Sequence, residues 1–212
     1  MRQELLVLAN SRKYGARCVA GLDPDGNWVR PVAARSGAGI PSSLTRVGTR
    51  SLQPLDVVSY KLIEHAPLPY QSENWVIDLD SLRFVRSAAL NEEQDRLSAA
   101  SLSRPEFVQD TAPTLMADAV AGMGPPLASL ALLPTNNVRV VEPEPGHWRA
   151  AFFSGDDPWS LPFTDELWPN LENLTSPDMG SALVCVSLAE PYEPHGNSPR
   201  HYKLAAGIVL TP

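Results

Sequence analysis

The sequence has too few cysteines for a disulfide-stabilised protein or a cysteine-ligated metal centre. Its 212 residues include only Cys18 and Cys185, which lie in separate apolar segments without metal-ligand spacing. We therefore expect two free thiols in a reducing cytoplasm. No run of about 18 apolar residues is present, so a membrane-spanning helix is not expected. The short apolar run after Met1–Glu4 does not fit a signal peptide.

Catalytic and cofactor-binding motifs are also lacking. The patterns GxSxG, GxxxxGK[ST] and GxGxxG do not occur, and the four histidines form no HxH, HxxxH or HExxH arrangement. We predict no catalytic residue, no bound metal and no cofactor. One alternative stays open, a metal-dependent hydrolase acting on nucleic acid, because the pairs Asp156-Asp157 and Asp165-Glu166 offer carboxylate ligands.

The chain as a whole lacks a surplus of positive charge, since its formal net charge is −7. This excludes a protein that coats nucleic acid through an overall positive field. The charge is uneven, however. Residues 1–50 contain eight Lys/Arg and three Asp/Glu, a net charge of +5, whereas residues 51–212 contain nine and twenty-one, a net charge of −12. This asymmetry indicates either one confined basic site for a phosphate-bearing partner or a solvated basic face.

Apolar runs and turn signals indicate a β-rich fold. The 21 prolines and 13 glycines favour short strands over long helices. Leu5–Ala9 is a continuous apolar run typical of a buried strand, and residues 16–22 and 27–33 form a predicted hairpin over the turn Asp23–Gly26. With two further strands before residue 80, the pattern predicts a small, closed or partly open barrel.

The middle of the chain has a different pattern. An acidic start followed by apolar residues at helical spacing predicts a helix within Ser81–Leu102, and a weaker one is predicted at Thr114–Met123. Strand-like alternation returns from residue 137. We therefore predict a mostly β fold with minor α content. A first barrel occupies residues 1–80, a helical connector 81–135, and a second barrel 136–212.

Cations and aromatic rings are concentrated where the first two predicted strands connect. Cations can contact phosphate groups, and aromatic rings can stack on bases. The candidate ligand-binding residues are Asn10, Ser11, Arg12, Lys13, Tyr14, Arg17, Trp28, Arg30 and, on the last predicted strand, Lys203. The alternatives are core packing for Trp28, structural ion pairs for the basic loop, and an outward position at a sheet edge for Lys203.

Three segments resemble a bacterial family described as dual OB-containing domains. They are residues 10–21 (NSRKYGARCVAG), residues 28–32 (WVRPV) and residues 202–208 (YKLAAGI). Phe163–Asp165 and Val186–Pro191 lie where the second barrel of such a family would carry similar segments, and Ala16 stands where we expect glycine. The resemblance implies two small OB-like β-barrels and nucleic-acid binding, in a defence or mobile-element setting. It supplies no catalytic residues.

These observations predict a non-enzymatic nucleic-acid-binding module for single-stranded or distorted DNA or RNA. A different class is also open, a sensor of a small phosphorylated ligand or modified nucleotide, because a strand-binding groove usually needs a longer positive track. A further alternative is a protein-interaction subunit whose acidic second half docks a basic partner protein, and such a partner could be encoded alongside it. We expect no membrane partner.

Overall fold

The computed structural model describes residues 2–13, 15–124, 127–165, 179–193 and 196–212. Its first half contains the strands β1 (Arg2–Lys13), β2 (Ala16–Leu22), β3 (Trp28–Val32), β4 (Ile40–Pro41), β5 (Arg46–Val47), β6 (Arg50–Ser51), β7 (Asp56–His65) and β8 (Asn74–Ser87). Its second half contains α1 (Gln94–Leu102), β9 (Thr114–Met116), α2 (Ala117–Gly122), β10 (Leu130–Thr135), β11 (Val138–Glu144), β12 (His147–Ser154), β13 (Asp157–Pro162), β14 (Ala182–Tyr192) and β15 (Arg200–Leu210). Short 3-10 turns occur at Ser42–Thr45, Leu90–Glu92 and Glu106–Val108. None of the helices in the described part of the chain has the length and apolar character needed to span a bilayer.

Five strands close into the first barrel. Hydrogen bonding follows the order β1-β7-β8-β3-β2, and β2 pairs back with β1 to complete the ring. All neighbours are antiparallel except β3 and β8, which run parallel. A five-stranded barrel of this kind is the OB architecture, so the predicted OB-like barrel is confirmed. The barrel extends to Ser87, beyond the predicted boundary at residue 80, because the second half of β8 still pairs with β7.

The hairpin between β2 and β3 forms over the turn that the sequence predicts. The Asp23 carboxylate accepts hydrogen bonds from the backbone N–H groups of Asp25, at 3.0 Å, and Asn27, at 2.8 Å. Gly26 has a φ of +84°, which glycine adopts without steric cost. Local side-chain bonding and one glycine therefore fix this turn.

Strand β1 is buried on both sides, which is why its apolar residues are consecutive. Leu5 and Val7 point into the core of the first barrel, whereas Leu6 and Leu8 point into a second cluster outside that barrel. The register with β2 shifts between Val7 and Ala9, a bulge that bends the strand so that it pairs with both β7 and β2. The predicted buried strand is confirmed.

The second unit repeats the strand order of the first in a more open form. In the first unit, β1 pairs with both β7 and β2. In the second unit two strands share this role, since β10 pairs with β14 and β11 pairs with β12. β12 continues to β13, and β14 continues to β15. Among the described residues, β13 reaches β15 through one parallel bridge, Phe163 to Ala205. The second predicted barrel is therefore present as a half-barrel, and it begins with β10, before the predicted boundary at residue 136.

The two units share an apolar core. Leu6 and Leu8 of β1 meet Leu130 and Leu132 of β10 in one cluster, and Leu97 of α1 packs into it from the connector. This cluster is separate from the interiors of the first and second units. The connector helix therefore stabilises the contact between the barrels instead of acting as a loose linker.

Two glycines permit the closest backbone contacts with β1. A Cβ on Gly21 of β2 would lie 1.9 Å from the Leu6 carbonyl oxygen, and a Cβ on Gly207 of β15 would lie 2.1 Å from the Leu8 carbonyl oxygen. Each glycine follows an alanine in the sequence, so the Ala-Gly pairs near both ends of the chain serve the same strand. Any side chain at either position would push a neighbouring strand away from β1.

Replacing Gly207 with alanine should destabilise the protein by about 1–3 kcal/mol, because the new methyl group overlaps the backbone of β1. Urea unfolding followed by circular dichroism measures this change. Gly122→Ala is the matched control, since a Cβ there meets nothing within 4 Å. Equal stabilities for the two variants would contradict the close approach of β15 to β1.

Candidate ligand-binding cleft

A cleft of about 490 Å³ lies between the two units, at the end of the hairpin formed by β1 and β2. Ser11 and Cys18, which are paired across that hairpin, line one wall together with Lys13. Successive side chains of a strand alternate between its two faces, so Ser11 and Lys13 point to the same side. The volume falls within the range of small-ligand sites.

The opposite wall comes from β14 and β15 of the second unit. Glu190 and Tyr192 lie at the end of β14, and Tyr202 and Leu204 lie on β15. The rings of Tyr192 and Tyr202 are in contact, with centroids 6.4 Å apart, and Tyr192 is 52% exposed. This wall therefore offers an accessible aromatic surface on which a planar ligand can stack.

Lys13 connects the two walls. Its Nζ donates to Glu190 Oε1 at 2.7 Å and to the Gly37 carbonyl oxygen at 2.6 Å. The two side chains are 16% and 27% exposed, respectively. An ammonium group has three donors, so a ligand can contact Lys13 through the remaining one or by displacing Glu190.

Arg30 lies beneath the cleft and is only 2% exposed. Its Nη1 donates to Cys18 Sγ at 2.8 Å, and its Nη2 donates to Ser129 Oγ at 2.7 Å and to Glu73 Oε1 at 3.0 Å. Ser129 also donates its hydroxyl and its backbone N–H to Glu73. Because Ser129 precedes β10, this network joins the first unit to the second.

The contacts of Arg30 with Cys18 and Glu73 offset the cost of burying its charge. Burial alone would lower the pKa of the guanidinium group, but Cys18 and the Glu73 carboxylate raise the pKa above its usual value. Arg30 therefore supports the floor of the cleft as part of a satisfied ion pair.

The structure brings together four of the nine predicted ligand-binding residues: Ser11, Arg12, Lys13 and Arg30 line the cleft. Arg17 lies directly opposite Arg12 in the hairpin register. The basic connection between the first two strands therefore borders the cleft, and one of its cations, Lys13, bonds to a carboxylate of the protein.

Other predicted residues lie away from the cleft. Asn10 is fully buried in the first barrel, where its Nδ2 donates to the Leu52 carbonyl oxygen at 2.9 Å. Trp28 packs against the core shared by the two units. Tyr14 lies outside the described residues. For Asn10 and Trp28, the observed contacts are structural.

Lys203 is fully buried inside the second unit, on the opposite face of β15 from Tyr202 and Leu204. Its Nζ donates to Asp110 Oδ1 at 2.7 Å and to the Asp110 carbonyl oxygen at 2.8 Å. The ammonium group also lies 5.3 Å from the ring centroid of Trp159, a cation–π contact. The hydrogen bonds of Lys203 to Asp110 therefore link the connector to the half-barrel.

The cleft also contains residues that were not among the predicted ligand-binding set. Tyr192, Tyr202, Glu190 and Gln71 all line it. Strand alternation could have identified Tyr202, because it places Tyr202 and Leu204 on one face of the last strand and Lys203 on the other. The position of Glu190 opposite Lys13 depends on the packing of the two units, so no local sequence pattern predicts it.

The described carboxylates among those considered for a hydrolase do not converge. Asp156 and Asp157 are exposed at the turn between β12 and β13, whereas Asp165 is buried, and Glu166 lies outside the described residues. Among the described residues, no group of three or more His, Cys, Asp or Glu side chains is arranged to hold a metal ion.

A family model described as a dual OB-containing domain matches residues 3–208. The chain belongs to this family. The match spans both barrels and the connector, so the resemblance of the two ends of the sequence extends across nearly the whole chain. No curated protein matches the sequence.

In this dual OB-containing domain, one unit covers much of the other unit's usual binding face. OB barrels bind oligonucleotides on the face of their second and third strands and in the adjoining loops. Here Ala20 and Leu22 of β2 belong to the shared core, and Trp28 of β3 packs against it. The part of this face that lines the cleft is the end of β2 at Cys18, where the β1–β2 hairpin borders the cleft.

Replacing Glu73 with glutamine should cost about 3–5 kcal/mol of unfolding free energy, because it leaves the buried charge of Arg30 uncompensated. The control is Glu64→Gln, which removes the carboxylate partner of Arg35, a side chain that is 78% exposed. Such exposed pairs contribute at most about 1 kcal/mol. Chemical denaturation distinguishes the two losses. Similar small losses in both variants would contradict the assigned role of Arg30.

The contribution of the Lys203–Asp110 pair should depend on pH. The hydrogen bond from Lys203 lowers the pKa of the Asp110 carboxyl. A depressed folded-state pKa adds stability above the unfolded value of about 4, and this stability disappears as the pH falls through the folded value. Asp110→Asn should therefore be less stable than the native protein at neutral pH, with the gap narrowing toward about pH 3.

Urea unfolding at both pH values measures this gap, with the exposed Asp80→Asn as the control. A gap that stays constant with pH would show that the ion pair is not its source.

Proposed function

We propose that the protein is a non-enzymatic nucleic-acid-binding module that takes one nucleotide unit of a single strand into the cleft. The observation that carries the proposal is the composition of its two walls. Arg12 and Lys13 of the first barrel and Tyr192 and Tyr202 of the second all line the cleft. Cations for a phosphate group and rings for a base are thus available across one opening.

The physical basis is the combination of a directional charge contact with a stacking surface. Guanidinium and ammonium groups form charge-assisted hydrogen bonds with phosphate oxygens. Stacking of a base on an aromatic side chain is worth ~1–3 kcal/mol and tolerates different bases. The exposed ring of Tyr192 supports the stacking role, and the hairpin of β1 and β2 supplies the phosphate contacts.

A second candidate function is a sensor of a small phosphorylated ligand or modified nucleotide. It is favoured by the coverage of the β2–β3 face, which leaves a cleft of about 490 Å³ in place of an open groove. The pairing of Lys13 with Glu190 and of Arg30 with Glu73 also reduces the charge available to a polymer. Strand binding commonly depends on several phosphate contacts at once.

Replacing Tyr192 with alanine should weaken binding of a fluorescein-labelled single-stranded oligonucleotide about 5- to 100-fold, as expected from the loss of one stacking contact. Fluorescence polarisation at about 50 and 200 mM salt measures affinity and its salt dependence, and DNA and RNA probes are compared. Phe153→Ala is the matched control, because Phe153 is also an exposed ring, at 58%, on the outer sheet of the second unit.

Unlabelled mononucleotides and nucleosides added as competitors separate the two candidate functions. Binding of mononucleotides without binding of oligonucleotides would support the sensor. Absence of binding to either probe, or equal affinities for Tyr192→Ala and Phe153→Ala, would contradict a ligand site in the cleft.

A further inference from the structure

We propose that the floor of the cleft selects a nucleobase by its hydrogen-bond acceptors, so that an oxo purine such as hypoxanthine or guanine binds more tightly than adenine. The residues that carry this selection are Ser11, Ser187 and Arg30, which all line the cleft and are between 2% and 5% exposed. The inference rests on the proposed function, because it names the bases that the stacking wall would hold.

The Ser11 hydroxyl is a buried polar group that the protein leaves available. Within the described part of the chain it makes no side-chain hydrogen bond, although Ser11 is only 4% exposed. Ser11 is paired with Cys18 across the β1–β2 hairpin, and both residues line the cleft. Burying a hydroxyl without a hydrogen-bond partner costs free energy, which an acceptor on a ligand in the cleft would recover.

Arg30 orients and polarises the Ser187 hydroxyl. Arg30 Nη2 donates to Ser187 Oγ at 3.3 Å, so a lone pair of this oxygen faces the guanidinium group and the hydroxyl hydrogen points away from it. That hydrogen has no acceptor among the described residues. Ser187 is paired with Leu204 across β14 and β15, and both line the cleft. Because hydrogen bonds in a chain polarise one another, donation from a cation makes this hydroxyl a stronger donor.

Several acceptors around the floor are already used by donors of the protein. Cys18 Sγ accepts from Arg30 Nη1 at 2.8 Å, and Gln71 Oε1 accepts from Asn74 Nδ2 at 3.2 Å. The carboxylate of Glu190 bonds to the ammonium group that connects the two walls. An arginine side chain carries donors only. The floor therefore offers hydrogen-bond donors next to a guanidinium cation, and the ligand group that fits it is an acceptor.

Purines differ in the edge that they present to such a floor. Guanine has two neighbouring acceptors, O6 and N7, whereas adenine has the N7 acceptor beside the N6 amino donor. Two hydroxyl donors match the first pattern, while the amino group of adenine would face donors and a cation. Hypoxanthine has the same O6 and N7 atoms as guanine without the guanine amino group, so it is the cleanest comparison with adenine.

Isothermal titration calorimetry with inosine 5′-monophosphate and adenosine 5′-monophosphate tests the selection. The native protein should bind the inosine nucleotide about 5- to 100-fold more tightly, the range expected for discrimination at one base edge. Ser11→Ala should lower this ratio about 2- to 10-fold, as expected for the loss of one hydrogen bond. It should unfold at the native temperature, since the hydroxyl that it removes bonds to no described residue.

Ser98→Ala is the matched control, because Ser98 is an exposed serine on α1 that does not line the cleft. It should keep the full ratio. Ser187→Ala is a second variant at the floor and should also lower the ratio, which keeps the test valid if one of the two floor variants folds poorly. Tyr192→Ala should weaken binding of both nucleotides and leave their ratio unchanged, because stacking tolerates different bases.

Two results would overturn selection by the floor. One is a native protein with equal affinities for the two nucleotides, and the other is a ratio that survives in both Ser11→Ala and Ser187→Ala. Equal affinities together with Tyr192-dependent oligonucleotide binding would show that the inference is wrong and the proposed function stands.

The free nucleosides inosine and adenosine, followed by saturation-transfer NMR, separate the opposite case. Tighter binding of inosine without binding of any nucleotide or oligonucleotide would show that the floor reads the base and the proposed function is wrong. Absence of binding of nucleosides and nucleotides alike would overturn selection by the floor as well.

Discussion

Backbone contact between β1 and β15, at Leu8 and Gly207, brings the two barrels together without a side chain between them. The apolar cluster around Leu6, Leu8 and Leu132 surrounds this contact and excludes water from it. Because β1 continues from the shared core into the basic hairpin, the same strand that joins the units also carries one wall of the cleft. The position of β15 supplies the other wall. The cleft is therefore a consequence of how the barrels pack.

Charge compensation determines which cations remain available in this acidic protein. Lys13, Arg30 and Lys203 each bond to a carboxylate that is distant in sequence, and the last two are almost completely buried. Removing charges from water is costly, so buried cations persist only with such partners. Lys13–Glu190 connects the first barrel to the second, and Lys203–Asp110 connects the connector to the half-barrel.

The two units share a strand order but use their surfaces differently. In the first, β2 and β3 present apolar side chains that the second unit covers. In the second, β12 leaves Phe153 exposed, and β15 turns Tyr202 and Leu204 toward the cleft while Lys203 and Ala205 face the interior. One architecture thus provides a packing surface in one copy and part of the cleft wall in the other.

Local patterns in the sequence determined much of the fold. The run Leu5–Ala9 indicated a buried strand, and Asp23–Gly26 indicated the turn between the next two strands, since both signals arise from neighbouring residues. The helix predicted within Ser81–Leu102 is present as α1, but it begins only at Gln94 because pairing with β7 extends β8 to Ser87. Tertiary pairing overrode local preference there.

The sequence also identified the basic hairpin, but only the tertiary structure decided which of its residues face the cleft. Hydrophobic periodicity records which face of a strand is buried and leaves open which element covers it. The sequence therefore predicts Trp28 and Lys203 as ligand contacts, whereas Trp28 packs against the core shared with the second unit and Lys203 pairs with Asp110. Likewise, Lys13 meets Glu190 across 177 positions of sequence. Such long-range ion pairs depend on the packing of the barrels, which no local pattern encodes.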